Sequence, residues 1–219
     1  MRIVRGWLWL ILSLVVCDSS AWSQPPRVQS LRSREFMVPP ALRRRVDFWI
    51  HIFTRYGKDQ VVVHHRRYPW LIFEVFDFSA EAAQLGPIAL EKHRNQVIGD
   101  YLKGVKIGLE HLAAGNPPAG PLESKISVLM QGVPGGSQKY QEILRDDLLR
   151  TQTGIKEKWM AALKRSGRYM HIMEEIFRAH HLPVELTRLP FIESSFDYYV
   201  KSSAGAVGLW QFMPATGRR

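Results

Sequence analysis

Cysteine is almost absent from this chain of 219 residues: Cys17 is the only one. A disulfide framework and any cysteine-built metal site are thereby excluded. Long apolar runs are missing too. The longest, from Trp7 to Cys17, is broken by Ser13 and follows the basic head Met1-Arg2-Ile3-Val4-Arg5. At roughly eleven residues it falls well short of the about twenty that cross a bilayer as a helix, so it reads as the core of a secretory signal peptide. Ala21 and Ser23 put small residues where a signal peptidase reads, which predicts residues 1–23 as the signal and removes Cys17 with it. The competing reading is lipidation of Cys17, against which Val16 stands where a lipoprotein peptidase prefers a small side chain.

Acidic residues are also scarce. Twenty Asp and Glu stand against 30 Lys and Arg, a formal net charge of +10. Two cations and one anion leave with the signal, so the exported chain carries +9. A basic exported surface attracts polyanions, here the cell wall and anionic membrane head groups. Nucleic acid, the usual partner of such a charge, is not expected outside the cytoplasm. Arg43-Arg44-Arg45 and Arg66-Arg67 are the densest cationic runs, with an ordinary solvated face as the competing reading. The eight histidines are scattered, and the adjacent pairs His64-His65 and His180-His181 would point to opposite faces of a strand. No metal or other cofactor is expected. There is no internal repeat and no low-complexity tract.

What is present is globular in character: 46% of the residues are hydrophobic and 11% aromatic, enough for one or two domains. After a polar, proline-marked lead from Gln24 to Pro40, residues 41–56 read as an amphipathic helix with Val46, Trp49, Ile50 and Phe53 on its buried side. Val61-Val62-Val63 and the run Trp70 to Phe76 are β-rich and predict a hairpin across His64 to Pro69. From Ala80 to Ala114 the spacing is helical, with Leu90, Val97, Leu102, Val105 and Leu109 as core positions and Pro87 and Gly99 as candidate breaks. Two Pro/Gly-rich stretches, 115–121 and 132–136, bracket the expected domain boundary. Beyond them the chain reads as entirely helical. Tyr169, Ile172, Met173, Ile176 and Phe177 share one apolar face, taken as core, and Pro183 suits the first turn of a helix that runs to Glu193.

Chemistry gathers in one place. Glu193 closes Leu189-Pro190-Phe191-Ile192-Glu193 and is followed by Ser194-Ser195-Phe196 and then by the glycine-punctuated run Ser202 to Gly217. A glycosidic oxygen leaves only when protonated, so an acid that cleaves such a bond must keep its proton near neutral pH. Apolar surroundings achieve this by disfavouring the carboxylate, and Phe191, Ile192, Phe196 and Trp210 are placed to supply them. Gln211 offers an amide that both donates and accepts, Met213 and Trp210 an apolar wall, and Gly205 and Gly208 a close backbone approach. The bland alternatives stand beside these: a solvated Glu, core aromatics and glycines that only make turns.

Glu-Ser-Ser-Phe followed by Ser-x-x-Gly-Ala-x-Gly-Leu-Trp-Gln-Phe-Met-Pro-Ala-Thr-Gly resembles the signature of the lysozyme-like (SLT-type) lytic murein transglycosylases, and the long basic amino-terminal region is most like their membrane-bound D type. The resemblance implies cleavage of the MurNAc–GlcNAc bond of peptidoglycan without water, leaving a 1,6-anhydro sugar, with Glu193 as the single catalytic carboxylate. It further implies that Ser202 lies beside the reactive sugar and that Gln211 and Met213 line the glycan groove. Asp197, four residues after Glu193, is the one nearby rival acid and reads first as a helix-end cap.

The expected architecture is therefore α+β and mainly α: a signal at 1–23, a helix/hairpin/helix region at 24–115, a linker at 116–136 and a partial lysozyme-like transglycosylase domain at 137–219. That domain is expected to be truncated at its carboxy-terminal side, because only 26 residues follow Glu193. The expected partner is the peptidoglycan strand, with peripheral contact to an anionic membrane surface, in the periplasm or cell envelope. A lysozyme-type hydrolase and a catalytically inert peptidoglycan-binding scaffold are the competing functions.

Overall fold

The computed structural model describes residues 36–218. The expected signal peptide, its cleavage site and Cys17 lie outside the described residues. A 3-10 turn at Pro40–Leu42 leads into α1 (Arg43–Thr54), and β1 (Gln60–His65) and β2 (Ile72–Asp77) form the expected antiparallel hairpin. Short α2 (Ser79–Ala82) precedes α3 (Pro87–Ala113), whose 27 residues make it the longest described element, about 40 Å from end to end. Pro87 is the break: it opens α3 at a position where its missing N–H costs nothing, whereas Gly99 is carried through the helix. Then come α4 (Pro121–Leu129), α5 (Gln138–Arg145), β3 (Leu149–Thr153) and α6 (Lys156–Ser166).

The sheet has the order β2-β1-β3, with β1 antiparallel to both neighbours. β1 is covered on both faces. Val62 meets Phe48 and Ile52 of α1, while Val63 joins Phe73, Val105, Leu109, Leu112, Ile126, Met130 and Ile143 under α3, α4 and α5. Double coverage is why Val61-Val62-Val63 is a continuous apolar run where a half-exposed strand would alternate. The result is mainly helical with one small sheet, the α+β class expected.

Several expectations need correction. The buried stripe of α1 is Phe48 and Ile52, and Trp49 and Ile50 remain 43% and 45% exposed, because the sheet engages the other side of the helix. Residues 116–136 are not a linker: α4 lies within them, and its Ile126 and the following Met130 are fully enclosed in the main core. The chain beyond 136 is not all helical either. β3 pairs with β1 from Val61↔Thr153 to His65↔Leu149, so residues 138–153 pack with the amino-terminal body and do not start a separate domain at 137.

Candidate active site

The carboxy-terminal part holds α7 (Met170–Ala179), a 3-10 turn at Val184–Arg188, α8 (Leu189–Glu193) and α9 (Pro214–Gly217). Pro183 caps the 3-10 turn, and the chain re-enters α-helix only at Leu189, so the expected single helix from Pro183 to Glu193 is two pieces. Pro190 sits in the first turn of α8, where it is tolerated.

α8 stops at Glu193 because the next residues turn sharply. Ser195 and Phe196 both have φ of 55°, in the left-handed region that L-residues with a Cβ avoid at about 1–2 kcal/mol each. Two features offset that cost. Phe196 is 1% exposed, its ring edge-on to Phe191 at 4.5 Å, and Phe191 in turn leans on Trp159 of α6 at 4.8 Å. Burial of one such ring is worth about 1.5–3 kcal/mol. The second feature is Arg165 of α6, whose Nε and Nη2 both donate to the carbonyl oxygen of Ser195, at 3.0 and 2.7 Å. Ser194 and Phe196 also donate their backbone N–H groups to the Pro190 carbonyl, at 3.1 Å each.

Glu193 itself is exposed, and its carboxylate makes no hydrogen bond or ion pair with any described residue. The apolar setting expected around it is therefore not formed by the neighbours named for it. Phe191 lies two positions back, roughly 200° round the helix, and turns into the protein. Ile192 is 63% exposed. Trp210 stacks on Phe177 of α7, with ring centres 5.8 Å apart and planes within 7° of parallel.

The glycine-punctuated run is a self-bonded loop tied to the acid's helix. Ser194 Oγ donates to the Leu209 carbonyl at 2.8 Å, which fixes the loop to the residue next to Glu193. Ser202 Oγ accepts the Ala206 N–H at 2.9 Å, and the Ser202 N–H donates to the Ala206 carbonyl at 2.9 Å. The Gln211 side-chain amide donates to the carbonyls of Val200 and Gly208, at 3.0 and 2.9 Å, so its donors are committed to the loop and its oxygen is left for a ligand. Gly205 and Gly208 have φ of 91° and 74° with open space where a Cβ would be, so the turn and not close packing requires glycine. Asp197 behaves as the bland reading has it: its carboxylate accepts the Tyr199 N–H at 3.0 Å and closes a local turn.

Beside this loop lies an apolar depression lined by Met173, Ile176, Phe177, Trp210 and Phe212, with Met213 exposed at the loop's end. The apolar face of α7 was expected to be core. Instead no residue of α7 is buried, and Ile172 and Ile176 stand 58% and 51% exposed, because the loop covers this face only in part, through the stacking of Trp210 on Phe177. The structure thus joins Glu193, through Ser194, to the loop that carries Ser202, Gly205, Gly208, Trp210 and Gln211. Sequence reasoning missed Arg165 and Trp159, which brace α8 from outside the motif. A single Arg in Lys164-Arg165-Ser166 carries no signal of that role.

Comparison with known proteins agrees in this region. Residues 170–219 match the family described as Transglycosylase SLT domain. The chain is 41% identical over 54 residues to proteins named membrane-bound lytic murein transglycosylase D from Escherichia coli strain K12 and from Escherichia coli O6:H1. The aligned stretch covers 25% of this chain and 12% of each relative. No solved structure matches. The carboxy-terminal segment is thus similar to the SLT transglycosylase domain, and Glu193, α8 and the bonded loop all fall inside the matched residues.

Proposed function

We propose that the protein is a peptidoglycan lytic transglycosylase of the membrane-bound D kind, exported to the periplasm or cell envelope. The observation that carries this reading is the match of residues 170–219 to the SLT domain, together with a carboxylic acid at a helix end whose neighbour Ser194 is bonded to the motif loop. Glu193, protonated, gives its proton to the leaving oxygen of GlcNAc as the bond to C1 of MurNAc breaks. The C6 hydroxyl of the same MurNAc then attacks C1, and the Glu193 carboxylate takes the hydroxyl proton. The acid is restored, one glycosidic bond has been exchanged for a 1,6-anhydro bond, and no water is consumed. One carboxyl serves both steps, in order, as acid and then base.

Glu193 is open to solvent in the free chain, so in this reading its enclosure comes from the glycan that covers it. Gln211 Oε1 accepts an N-acetyl N–H, and Ser202 sits at the rim beside the reacting sugar. Gly205 and Gly208 shape the loop, while Trp210 and Met213 with Phe212 form an apolar wall for the sugar faces. Asp197, bound into its own turn, takes no part, which disfavours a hydrolase that needs a second acid. The exposure of Glu193 does favour one competing reading, a scaffold that binds peptidoglycan and leaves it intact. Glu193→Gln separates the two: it should bind isolated peptidoglycan as the parent does while losing all cleavage. A parent that binds and never cleaves would leave the scaffold.

A further inference from the structure

Far along the chain from the motif, the amino-terminal body carries a cationic recess that the transglycosylase reading does not use. Arg44, Tyr68, Trp70, Leu129, Val133 and Pro134 line a cavity of ≈ 140 Å³ between the start of α1, the β1–β2 loop and the α4–α5 loop. The guanidinium carbons of Arg44 and Arg45 each lie 5.8 Å from the centre of the Trp70 ring, and Tyr68 sits 5.6 Å from the same ring. Neither arginine has an ion pair with any described residue, although Asp47 is one turn away. Arg67, by contrast, is neutralised by Glu142 and Asp146, at 3.2 and 3.6 Å.

The recess is built, not incidental. Its loop is held from below by His65, whose buried Nδ1 accepts the N–H groups of Arg67 and Tyr68 at 3.0 and 3.1 Å. Its far wall is held by Lys139, which donates to the Met130 carbonyl at 2.7 Å. Arg43-Arg44-Arg45 also occupy the first turn of α1, with no acid among them, where the helix dipole favours negative charge. Arg44 lines the recess and Arg45 reaches the same ring from outside it, so two uncompensated cations favour an anion at this rim, with Arg44 to give it charge-assisted hydrogen bonds. The wall of Leu129, Val133 and Pro134 fits an apolar ring face behind the anion.

We propose that this recess is a second binding site, for a carboxylate-bearing glycan unit. In the peptidoglycan reading, on which this rests, that unit is an acidic muropeptide of the same polymer that Glu193 cleaves. The volume, close to that which takes a single benzene-sized ring, holds the carboxylate end of such a unit and leaves the rest of the glycan outside, so the site acts as a tether. It raises the local concentration of glycan at the SLT segment without touching the reacting bond.

The test uses the full exported chain as its Glu193→Gln variant, which leaves peptidoglycan uncut, with and without Arg44→Gln/Arg45→Gln. Sedimentation with purified sacculi and titration with a soluble disaccharide-tetrapeptide are measured, while thermal melting checks that both forms fold alike. Expected is a loss of about tenfold or more in affinity for both probes, weaker binding as salt rises, and no binding of uncharged chitotetraose at this site. Unchanged affinity in the double variant, or no binding of the muropeptide by the parent, would overturn the proposal. Loss confined to phosphatidylglycerol vesicles, with sacculus binding intact, would overturn it in favour of a lipid contact. Product formation by the unmutated chain is followed in parallel, so that tethering without cleavage and cleavage without tethering are told apart.

Discussion

Arg165 grips the carbonyl oxygen of Ser195 with two nitrogens, Nε at 3.0 Å and Nη2 at 2.7 Å. The residue gripped is the first of two left-handed positions immediately after the helix that ends in Glu193. α6 therefore fixes the direction in which α8 stops, and with it the aim of the acid. Hydrogen bonds from a charged donor contribute about 1.5–3 kcal/mol. Arg165→Lys keeps the charge but loses the fork, and it should speed amide exchange at Ser194 to Phe196 and lower the cleavage rate with little change in glycan affinity. Unchanged exchange rates there would show that Phe196 burial alone holds the turn.

Ser194→Ala removes the bond from the hydroxyl to the Leu209 carbonyl and frees the motif loop from α8. The expected stability loss is about 1 kcal/mol, with loosening confined to residues 205–212 in hydrogen exchange. A global loss without local loosening would contradict the tie.

Gly154 marks the passage from β3 to α6, and its N–H donates to the Gln60 carbonyl at 2.9 Å. A Cβ built there would overlap the backbone carbonyl of Tyr56, which has no flexible end to move. Gly154→Ala should cost about 3 kcal/mol and lower the melting temperature strongly. Gly99→Ala in α3 meets open space and should stabilise slightly. Equal melting temperatures for the two variants would refute the contrast.

Burial, aided by the charge of Arg67, pushes His65 down to about 4 from its ordinary 6.5. A group whose folded value is depressed lends stability above its unfolded value and loses it as pH falls toward the folded one. Stability should therefore decline between about pH 6.5 and 4, by about 3 kcal/mol at most. His65→Asn, whose carbonyl can still accept from the β1–β2 loop, should flatten this part of the profile in urea titrations. A profile of the same slope in the variant would remove His65 as the cause.

The hairpin, α1 and α3 were legible because their signals are local: a β-branched run, an apolar helical spacing and a proline at a first turn. β3 was not, since Leu149-Arg150-Thr151-Gln152-Thr153 has a single large apolar residue and is a strand only through its pairing with distant β1. The α4 region misled through its prolines and glycines, which mark the ends of the helix and leave Ile126 to the core. At the site, the motif pointed to Glu193 and its loop. The motif did not reveal that Ser195 and Phe196 adopt a conformation usually left to glycine, nor that Arg165 and the Phe191–Trp159 contact hold them there. Such supports come from residues far apart in sequence, each unremarked by itself.

The most direct measurement is mass spectrometry of the soluble products after purified peptidoglycan is incubated with the protein and with its Glu193→Gln variant. A transglycosylase acting through Glu193 gives muropeptides ending in 1,6-anhydroMurNAc with the parent and none with the variant. Reducing-end products from the parent, or anhydro products that persist in the variant, would contradict it.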